Sequence, residues 1–215
     1  MPRDLQIKIC GLTAAQDIDA AAAAGAHYVG FVFFEKSPRY VAPATAATLA
    51  QKVPANIRKV GLVVDPSDQF LAELMGQVPL DMVQLHGEET PHRVEAVKSI
   101  SGRPVMKAVG VSGASDVARL KAYFGVADQI LVDAKPPEGS DLPGGNGLTF
   151  DWQLIARRDW PIPWMLAGGL TAANVAQAVQ LTGAPQVDVS SAVESAPGVK
   201  DPARIATFCA AALSE

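Results

Sequence analysis

The chain has 215 residues, of which 49% are hydrophobic and 19% charged, with a formal net charge of -4 and a sequence pI of about 5.4. This composition can bury a sizeable core, which excludes a disordered chain, and the acidic balance without a Lys/Arg cluster argues against nucleic-acid binding. Since no apolar run is long enough to cross a bilayer, no membrane partner is expected either.

Short apolar runs alternate along the chain with alanine-rich stretches, and this alternation predicts eight strand–helix units. The predicted strands are 5–10, 28–33, 59–64, 82–85, 105–109, 129–133, 164–167 and 186–190. Helices are predicted near 14–24, 44–52, 67–77, 91–99, 114–124, 150–156, 172–181 and 202–213. Side-chain oxygens that can cap helix starts come from Thr13, Ser67, Thr90, Asp151, Thr171 and Asp201, and Gly25, Gly76 and Gly183 mark helix ends.

The fold class predicted from these units is α/β, a single (β/α)8 TIM barrel that forms one domain over residues 1–215. Nearly continuous apolar strands indicate a parallel sheet covered by helices, and eight units without a long structureless linker favour a closed barrel. An open doubly wound sheet is the alternative, weakened because no Gly-x-Gly-x-x-Gly follows the first strand. The longest irregular stretch, 136–147, is expected to be a functional loop.

Active sites of this fold lie at the carboxyl ends of the strands, so the residues that end each strand are the candidates. Lys8 and Cys10 share one face of strand one, and Asp188 and Ser190 share one face of strand eight. Because these strands are neighbours in a closed barrel, the sequence predicts a Lys8–Asp188 ion pair, serving either a site or the structure alone. The nearby cation favours a Cys10 thiolate, which can act as a general base; a buried apolar residue is the alternative.

Asp133 ends strand six and is expected to face Cys10 across the barrel mouth as an acid, unless it caps a helix or pairs with Lys135 or Arg39. Arg39 follows strand two, and its planar fork suits a carboxylate, although most loop arginines are solvated. Gln84 and His86 end strand four and are expected to line the pocket.

Glycine-rich elements late in the chain favour a phosphorylated small-molecule ligand. The loops after strands seven and eight usually form the phosphate site of this fold, because glycines let backbone N–H groups approach an anion closely. The predicted phosphate-binding residues are Gly145, Asn146, Gly147, Gly168, Gly169, Ser190, Ser191 and Ala192.

Several motifs together resemble one family over essentially the whole chain. They are KICGLT at 8–13, GFVF at 30–33 with SPRYV at 37–41, VQLHG at 83–87, LVDA at 131–134, GGNG at 144–147, LAGGL at 166–170, and 187–194 leading to GVKD at 198–201. In this combination the chain resembles the phosphoribosylanthranilate isomerases of tryptophan biosynthesis.

The resemblance implies an Amadori rearrangement of N-(5-phosphoribosyl)anthranilate to 1-(2-carboxyphenylamino)-1-deoxyribulose 5-phosphate. It implies that Asp133 is the general acid, Cys10 the general base and Arg39 the group that binds the anthranilate carboxylate. The glycine-rich loops would bind the phosphate, and neither a metal nor an organic cofactor is implied. Asn146 departs from the family, which more often has Ser or Thr there, although the side chain of Asn can also donate a hydrogen bond.

Three alternatives stay open at this point: the related Amadori isomerase of histidine biosynthesis, a metal-dependent pentose-phosphate epimerase and a catalytically silent phosphate-binding barrel. The first typically has Asp in place of Cys10 and binds two phosphates, and the second needs a cluster of ligands that three histidines hardly supply. With two distant cysteines and no signal peptide, the chain is expected in the cytoplasm, as a monomer or homodimer.

Overall fold

The structure is a computed structural model that describes residues 5–135, 144–145, 147–156 and 158–214. Eight parallel strands pair in chain order, and β1 also pairs with β8, so the sheet closes into a barrel. The strands are β1 Gln6–Cys10, β2 Tyr28–Val32, β3 Arg58–Val63, β4 Met82–Leu85, β5 Val105–Val111, β6 Gln129–Ala134, β7 Trp164–Leu166 and β8 Gln186–Val189. The predicted (β/α)8 barrel is confirmed.

Helices on the outside of the barrel connect the strands. They are α1 Ala15–Ala23, α2 Pro43–Ala50, α3 Asp68–Gln77, α4 Pro91–Ser101, α5 Ala114–Arg119, α6 Val175–Thr182 and α7 Pro202–Leu213, with 3-10 helices at Leu120–Tyr123, Trp152–Leu154 and Ser191–Val193. After β8, an unpredicted antiparallel hairpin forms from β9 Glu194–Ala196 and β10 Val199–Lys200. Within the described part of the chain, no helix is long and apolar enough to span a bilayer.

The prediction of a helix over 150–156 is wrong, because only the 3-10 helix Trp152–Leu154 forms there. A segment this short gains few hydrogen bonds to offset the cost of starting a helix, so whether it becomes helical depends on its tertiary packing. Asp151 does accept a hydrogen bond from the backbone N–H of Gln153, but this cap supports only a single turn.

Most of the predicted helix ends are confirmed, with three exceptions. Ser67, Thr90, Asp151 and Asp201 cap helix starts, and Gly183 ends α6 in the left-handed region. Thr13 and Thr171 do not cap. Instead, the side chain of Asp17 accepts a hydrogen bond from the backbone N–H of Thr13, and the side chain of Asn174 accepts one from the backbone N–H of Thr171. Gly76 lies inside α3, while Gly102 ends α4.

Two apolar layers fill the protein, one between the sheet and the helices and one inside the barrel. The interior layer contains Tyr28, Val60, Met82, Met106, Ala108, Leu131, Met165 and Ala167. Above it, Cys10 packs with Val32 and Leu62 near the carboxyl ends of the strands. This interior layer fills the barrel below Cys10, and a cavity lies above it, at the carboxyl ends of the strands.

Candidate active site

A cavity of about 250 Å³ opens at the carboxyl ends of the strands. Of the residues predicted for a site, its wall contains Cys10, Arg39, His86, Asp133, Gly145, Gly147, Gly168, Gly169, Asp188, Ser190, Ser191 and Ala192. The structure therefore brings twelve predicted residues from seven segments of the chain to one place. Asn146 lies outside the described residues.

Lys8 and Gln84, also predicted to contact a ligand, are fully buried and are not among the described residues of the cavity wall. Lys8 Nζ lies 2.9 Å from Asp188 Oδ1, so the predicted ion pair is confirmed. Burial alone would lower the pKa of Lys8, but the attraction of Asp188 and of Cys10 outweighs it and the pKa is raised. Lys8 therefore remains a cation beneath the cavity floor.

Cys10 lies at the end of β1 with 4% of its surface exposed. Burial raises the pKa of its thiol, and the opposing effect of Lys8 is too small to reverse the shift. Lys8 thus favours the thiolate, as the sequence predicted, although burial has the larger effect on the pKa of Cys10. Gly30 gives the sulfur room, because a Cβ at that position would stand 2.9 Å from Sγ.

Asp133 contacts His86, since its Oδ2 lies 3.3 Å from His86 Nε2. The other ring nitrogen of His86, Nδ1, is 3.0 Å from Gln84 Nε2, so Gln84 holds the imidazole from below. Asp133 pairs with neither of the two cations proposed as alternatives, because Lys135 bonds to Asp116 and Arg39 to another carboxylate. The acid candidate is thus left facing the cavity.

The carboxylate that pairs with Arg39 belongs to Glu194, on the β9–β10 hairpin. Nε and Nη2 of Arg39 donate to its two oxygens over 2.7 and 3.0 Å, and Lys200 Nζ donates to Oε1 over 2.7 Å. Arg39 is buried, so it is not the solvated charge that loop arginines usually are. Burial alone would raise the pKa of Glu194, but Arg39 and Lys200 outweigh burial and lower it.

Sequence reasoning assigned no role to Glu194 or Lys200, although both lie within the matched motifs 187–194 and 198–201. Arg39, the partner of Glu194, comes from a loop 155 residues earlier, and a charged residue in a short hairpin normally indicates solvent exposure. The motif match was the only signal that could have found them.

The glycine-rich loops after β7 and β8 lie at one side of the cavity. Gly168 has φ +86°, and a Cβ there would stand 2.5 Å from the backbone nitrogen of Ala134, so no side chain fits. The 3-10 helix Ser191–Val193 begins beside the cavity, and the Ser190 hydroxyl donates to the carbonyl of Cys10 over 3.0 Å. Backbone N–H groups at such positions suit an anion.

Opposite these polar groups, part of the cavity wall is apolar. Val32, Phe34, Leu62 and Val64 line it next to Cys10. A ligand that fills the cavity therefore meets an apolar surface, a thiol, a carboxyl group and an arginine, with small-residue loops at the far side. This arrangement suits an aromatic group joined to a phosphorylated sugar.

Comparisons with known proteins agree with this chemistry. The family model described as N-(5'phosphoribosyl)anthranilate (PRA) isomerase matches residues 7–211. The N-(5'-phosphoribosyl)anthranilate isomerase of Rhodospirillum centenum is 58% identical over 97% of this chain and 99% of its own. Phosphoribosyl anthranilate isomerase from Thermotoga maritima superposes with a TM-score of 0.87 at 36% identity, covering 97% of this chain and 98% of that one.

A further phosphoribosyl anthranilate isomerase structure is a complex with reduced 1-(o-carboxyphenylamino)-1-deoxyribulose 5-phosphate. It superposes with a TM-score of 0.85 at 34% identity, over 97% of this chain and 98% of that one. The motif-based prediction is thereby confirmed, and the histidine-pathway, epimerase and silent-barrel alternatives give way to it. The chain belongs to the N-(5'-phosphoribosyl)anthranilate isomerase family and is an isomerase of tryptophan biosynthesis.

Proposed function

We propose that Asp133 and Cys10 divide the acid–base chemistry of this isomerisation between them. The observation that carries the proposal is their position: both side chains stand in the wall of one cavity, at the ends of strands β6 and β1. A sugar ring held between them would present its ring oxygen to one group and its C2′ hydrogen to the other.

Asp133, in its protonated form, donates its proton to the ring oxygen of the ribose. The C1′–oxygen bond breaks, and the lone pair of the anthranilate nitrogen forms a C=N bond, which gives a protonated Schiff base. His86 Nε2, 3.3 Å from the carboxyl oxygen, is placed to exchange a proton with Asp133 between turnovers.

Cys10, as the thiolate, then removes the C2′ proton. The electron pair of that C–H bond forms a C1′=C2′ double bond, and the C=N electrons return to nitrogen, giving an enolamine. Protonation at C1′ and loss of the hydroxyl proton from C2′ produce the ketone. Lys8 favours the thiolate electrostatically, which offsets part of the effect of burial on the pKa of Cys10.

The remaining parts of the cavity would hold the two ends of the substrate. Arg39 binds the anthranilate carboxylate, and Val32, Phe34 and Leu62 pack against the aromatic ring. Backbone N–H groups of the loops at 145–147, 168–169 and 190–192 bind the phosphate. The complex of a relative with a reduced product analogue supports a ligand of this shape.

The test follows substrate consumption by fluorescence, with the unstable substrate made in situ from anthranilate and phosphoribosyl pyrophosphate by its transferase. Cys10→Ala and Asp133→Ala should each lower kcat by about 10²–10⁴-fold, the usual contribution of a positioned acid or base. Cys209→Ala, which changes the other thiol, is the matched control and should keep nearly full kcat. Near-wild-type turnover of either cavity variant would remove the role assigned to that residue.

Cytoplasmic location and a monomeric or homodimeric state complete the proposal, on the grounds of cysteine content and family resemblance.

A further inference from the structure

Three charged side chains are buried together at the mouth of the barrel, outside the acid–base pair. They belong to Arg39, Glu194 and Lys200, of which Glu194 has 4% and Lys200 none of its side chain exposed. Burying three charges is costly unless each is paired and hydrogen-bonded. Here they carry a net charge of +1, because one carboxylate offsets only one of two cations, so the group still attracts an anion.

The Arg39 guanidinium has one edge, Nε and Nη2, that is hydrogen-bonded to Glu194, and a second edge at Nη1. Nε and Nη2 grip both oxygens of Glu194, and Nη2 also lies 3.4 Å from the carbonyl oxygen of Gly145. Nη1 forms no hydrogen bond with any residue that the structure describes; it lies 2.7 Å from where a Cβ of Gly145 would be. Since Gly145 lines the cavity, the ungripped edge of the fork faces the ligand side.

The stem of Arg39 is confined as well. A Cβ on Gly11, which has φ +80°, would stand 2.7 Å from Arg39 Cδ. An unrestrained arginine loses much rotamer freedom when it binds a ligand, whereas a fork fixed in advance does not incur that cost on binding.

Glu194 also connects Arg39 to the strand end that carries the thiol. Lys200, bonded to Glu194, donates to the Ser190 carbonyl oxygen over 2.9 Å, and the Ser190 hydroxyl donates to the Cys10 carbonyl over 3.0 Å. One chain of hydrogen bonds therefore links Arg39 to the backbone of the residue that carries the thiol.

We infer that Glu194, with Lys200, is a positioning residue for carboxylate recognition: it fixes the Arg39 fork so that the enzyme selects an N-(2-carboxyphenyl) ligand over an N-phenyl ligand. This rests on the proposed role of Arg39 as the carboxylate-binding group. Glu194 is not among the described residues of the cavity wall, so it would act through Arg39, which is. Lys200 supplies the second cation, without which the Arg39–Glu194 pair would be neutral.

The experiment measures the affinity of two probes by calorimetry. One is reduced 1-(2-carboxyphenylamino)-1-deoxyribulose 5-phosphate, and the other is the same compound without the carboxylate. The ratio of their dissociation constants isolates carboxylate recognition, because a general loss of stability affects both probes alike. Glu194→Gln combined with Lys200→Met removes the charge and one of the two oxygens that hold Arg39, yet leaves the net charge at +1.

In this double variant the preference for the carboxylated probe should fall by about tenfold, which corresponds to the free energy of one charged hydrogen bond. The probe without the carboxylate should bind nearly as before. The matched control is Glu89→Gln with Lys107→Met, which removes a second buried Glu–Lys pair at 2.8 Å. Neither of these two residues is in the described cavity wall, so the ratio should stay unchanged.

Arg39→Ala separates the two claims. If Arg39→Ala abolishes the preference and the Glu194/Lys200 variant retains it fully, the inference about Glu194 is overturned and the role of Arg39 stands. If Arg39→Ala retains the preference, the role of Arg39 itself is wrong. Should the double variant not fold, Glu194→Asp keeps all three charges but shortens the reach by one methylene; an unchanged ratio there also overturns the inference.

Discussion

Lys8 Nζ lies 2.9 Å from Asp188 Oδ1 across the seam where β1 and β8 close the barrel. The two residues are register partners, so the pairing of the strands and the pairing of the charges coincide. Cys10 follows two residues after Lys8 on the same face of β1. Closure of the barrel therefore places a cation directly below the proposed base.

The first prediction concerns the pH dependence of turnover. Burial raises the pKa of Cys10, so the thiolate fraction, and with it kcat, should increase as pH rises from neutral into the alkaline range. Lys8→Gln combined with Asp188→Asn removes the pair without leaving a buried charge alone. Lys8 lowers the pKa of Cys10 more than Asp188 raises it. In the double variant, the increase of kcat with pH (the alkaline limb of the profile) should therefore move to higher pH.

The measurement is the pH profile of kcat for the wild type and the double variant. Cys10→Ala serves as the control, since its residual turnover should lack this limb. A limb that stays in place, or moves to lower pH, would contradict the electrostatic role assigned to Lys8.

The second prediction uses the space beside the thiol. Gly30→Ala puts a Cβ 2.9 Å from Cys10 Sγ and 3.1 Å from Cys10 Cα, so the end of β1 must shift. We expect a lower kcat and a loss of about 1–3 kcal/mol in the free energy of unfolding, as for overpacked cores. Gly76→Ala in α3, where nothing lies within 4 Å, should leave kcat unchanged; equal kcat in both variants would refute the close fit.

The third prediction concerns the two thiols. Burial raises the pKa of Cys209 to about 11, and the residue is packed in α7. Under native conditions an alkylating reagent should therefore modify Cys10 through the cavity and leave Cys209 intact, as peptide mass spectrometry can measure. The reduced product analogue should protect Cys10. Modification of Cys209 ahead of Cys10 would show that the cavity does not give access to the thiol.

The fourth prediction links stability to pH through Asp116 in α5. Burial alone would raise the pKa of Asp116, but hydrogen bonds from the backbone and hydroxyl of Ser112, with Lys135, outweigh it and lower the pKa. A lowered carboxyl pKa stabilises the fold above the unfolded value of about 4, and the stabilisation disappears as pH falls through the folded value.

Asp116→Asn should therefore cost about 1–3 kcal/mol of unfolding free energy at neutral pH, and the difference from wild type should shrink in acid. Denaturant unfolding at several pH values measures it, with exposed Asp19→Asn as the control. A difference that stays constant with pH would exclude the ionised carboxylate as its source.

The sequence predicted the barrel well because apolar strands with a regular helical alternation leave few other ways to bury their surface. It also predicted the Lys8–Asp188 pair, since strand periodicity and barrel closure together fix which side chains meet. The absence of an α-helix at 150–156 could not be predicted from the sequence, because helix formation in a short segment depends on its length and tertiary packing more than on its composition.

The ionisation of Cys10 illustrates a second limit. Sequence alone identified the neighbouring cation but not the depth of burial, and burial has the larger effect on the thiol pKa. The Arg39–Glu194–Lys200 group shows a third limit of prediction from sequence. Arg39 and the hairpin that carries Glu194 and Lys200 are far apart in the chain, and they meet only in the completed fold.

The 3-10 helix Trp152–Leu154, which forms where an α-helix was predicted over 150–156, has a consequence for spectroscopy. All three tryptophans of the chain, Trp152, Trp160 and Trp164, lie between the start of this 3-10 helix and the start of β7, and the rings of the last two are stacked with centroids 4.4 Å apart. Their intrinsic emission therefore reports on one sector of the barrel wall, whereas circular dichroism averages over every element. Separate melting curves from the two signals would reveal whether that sector opens before the remainder of the protein.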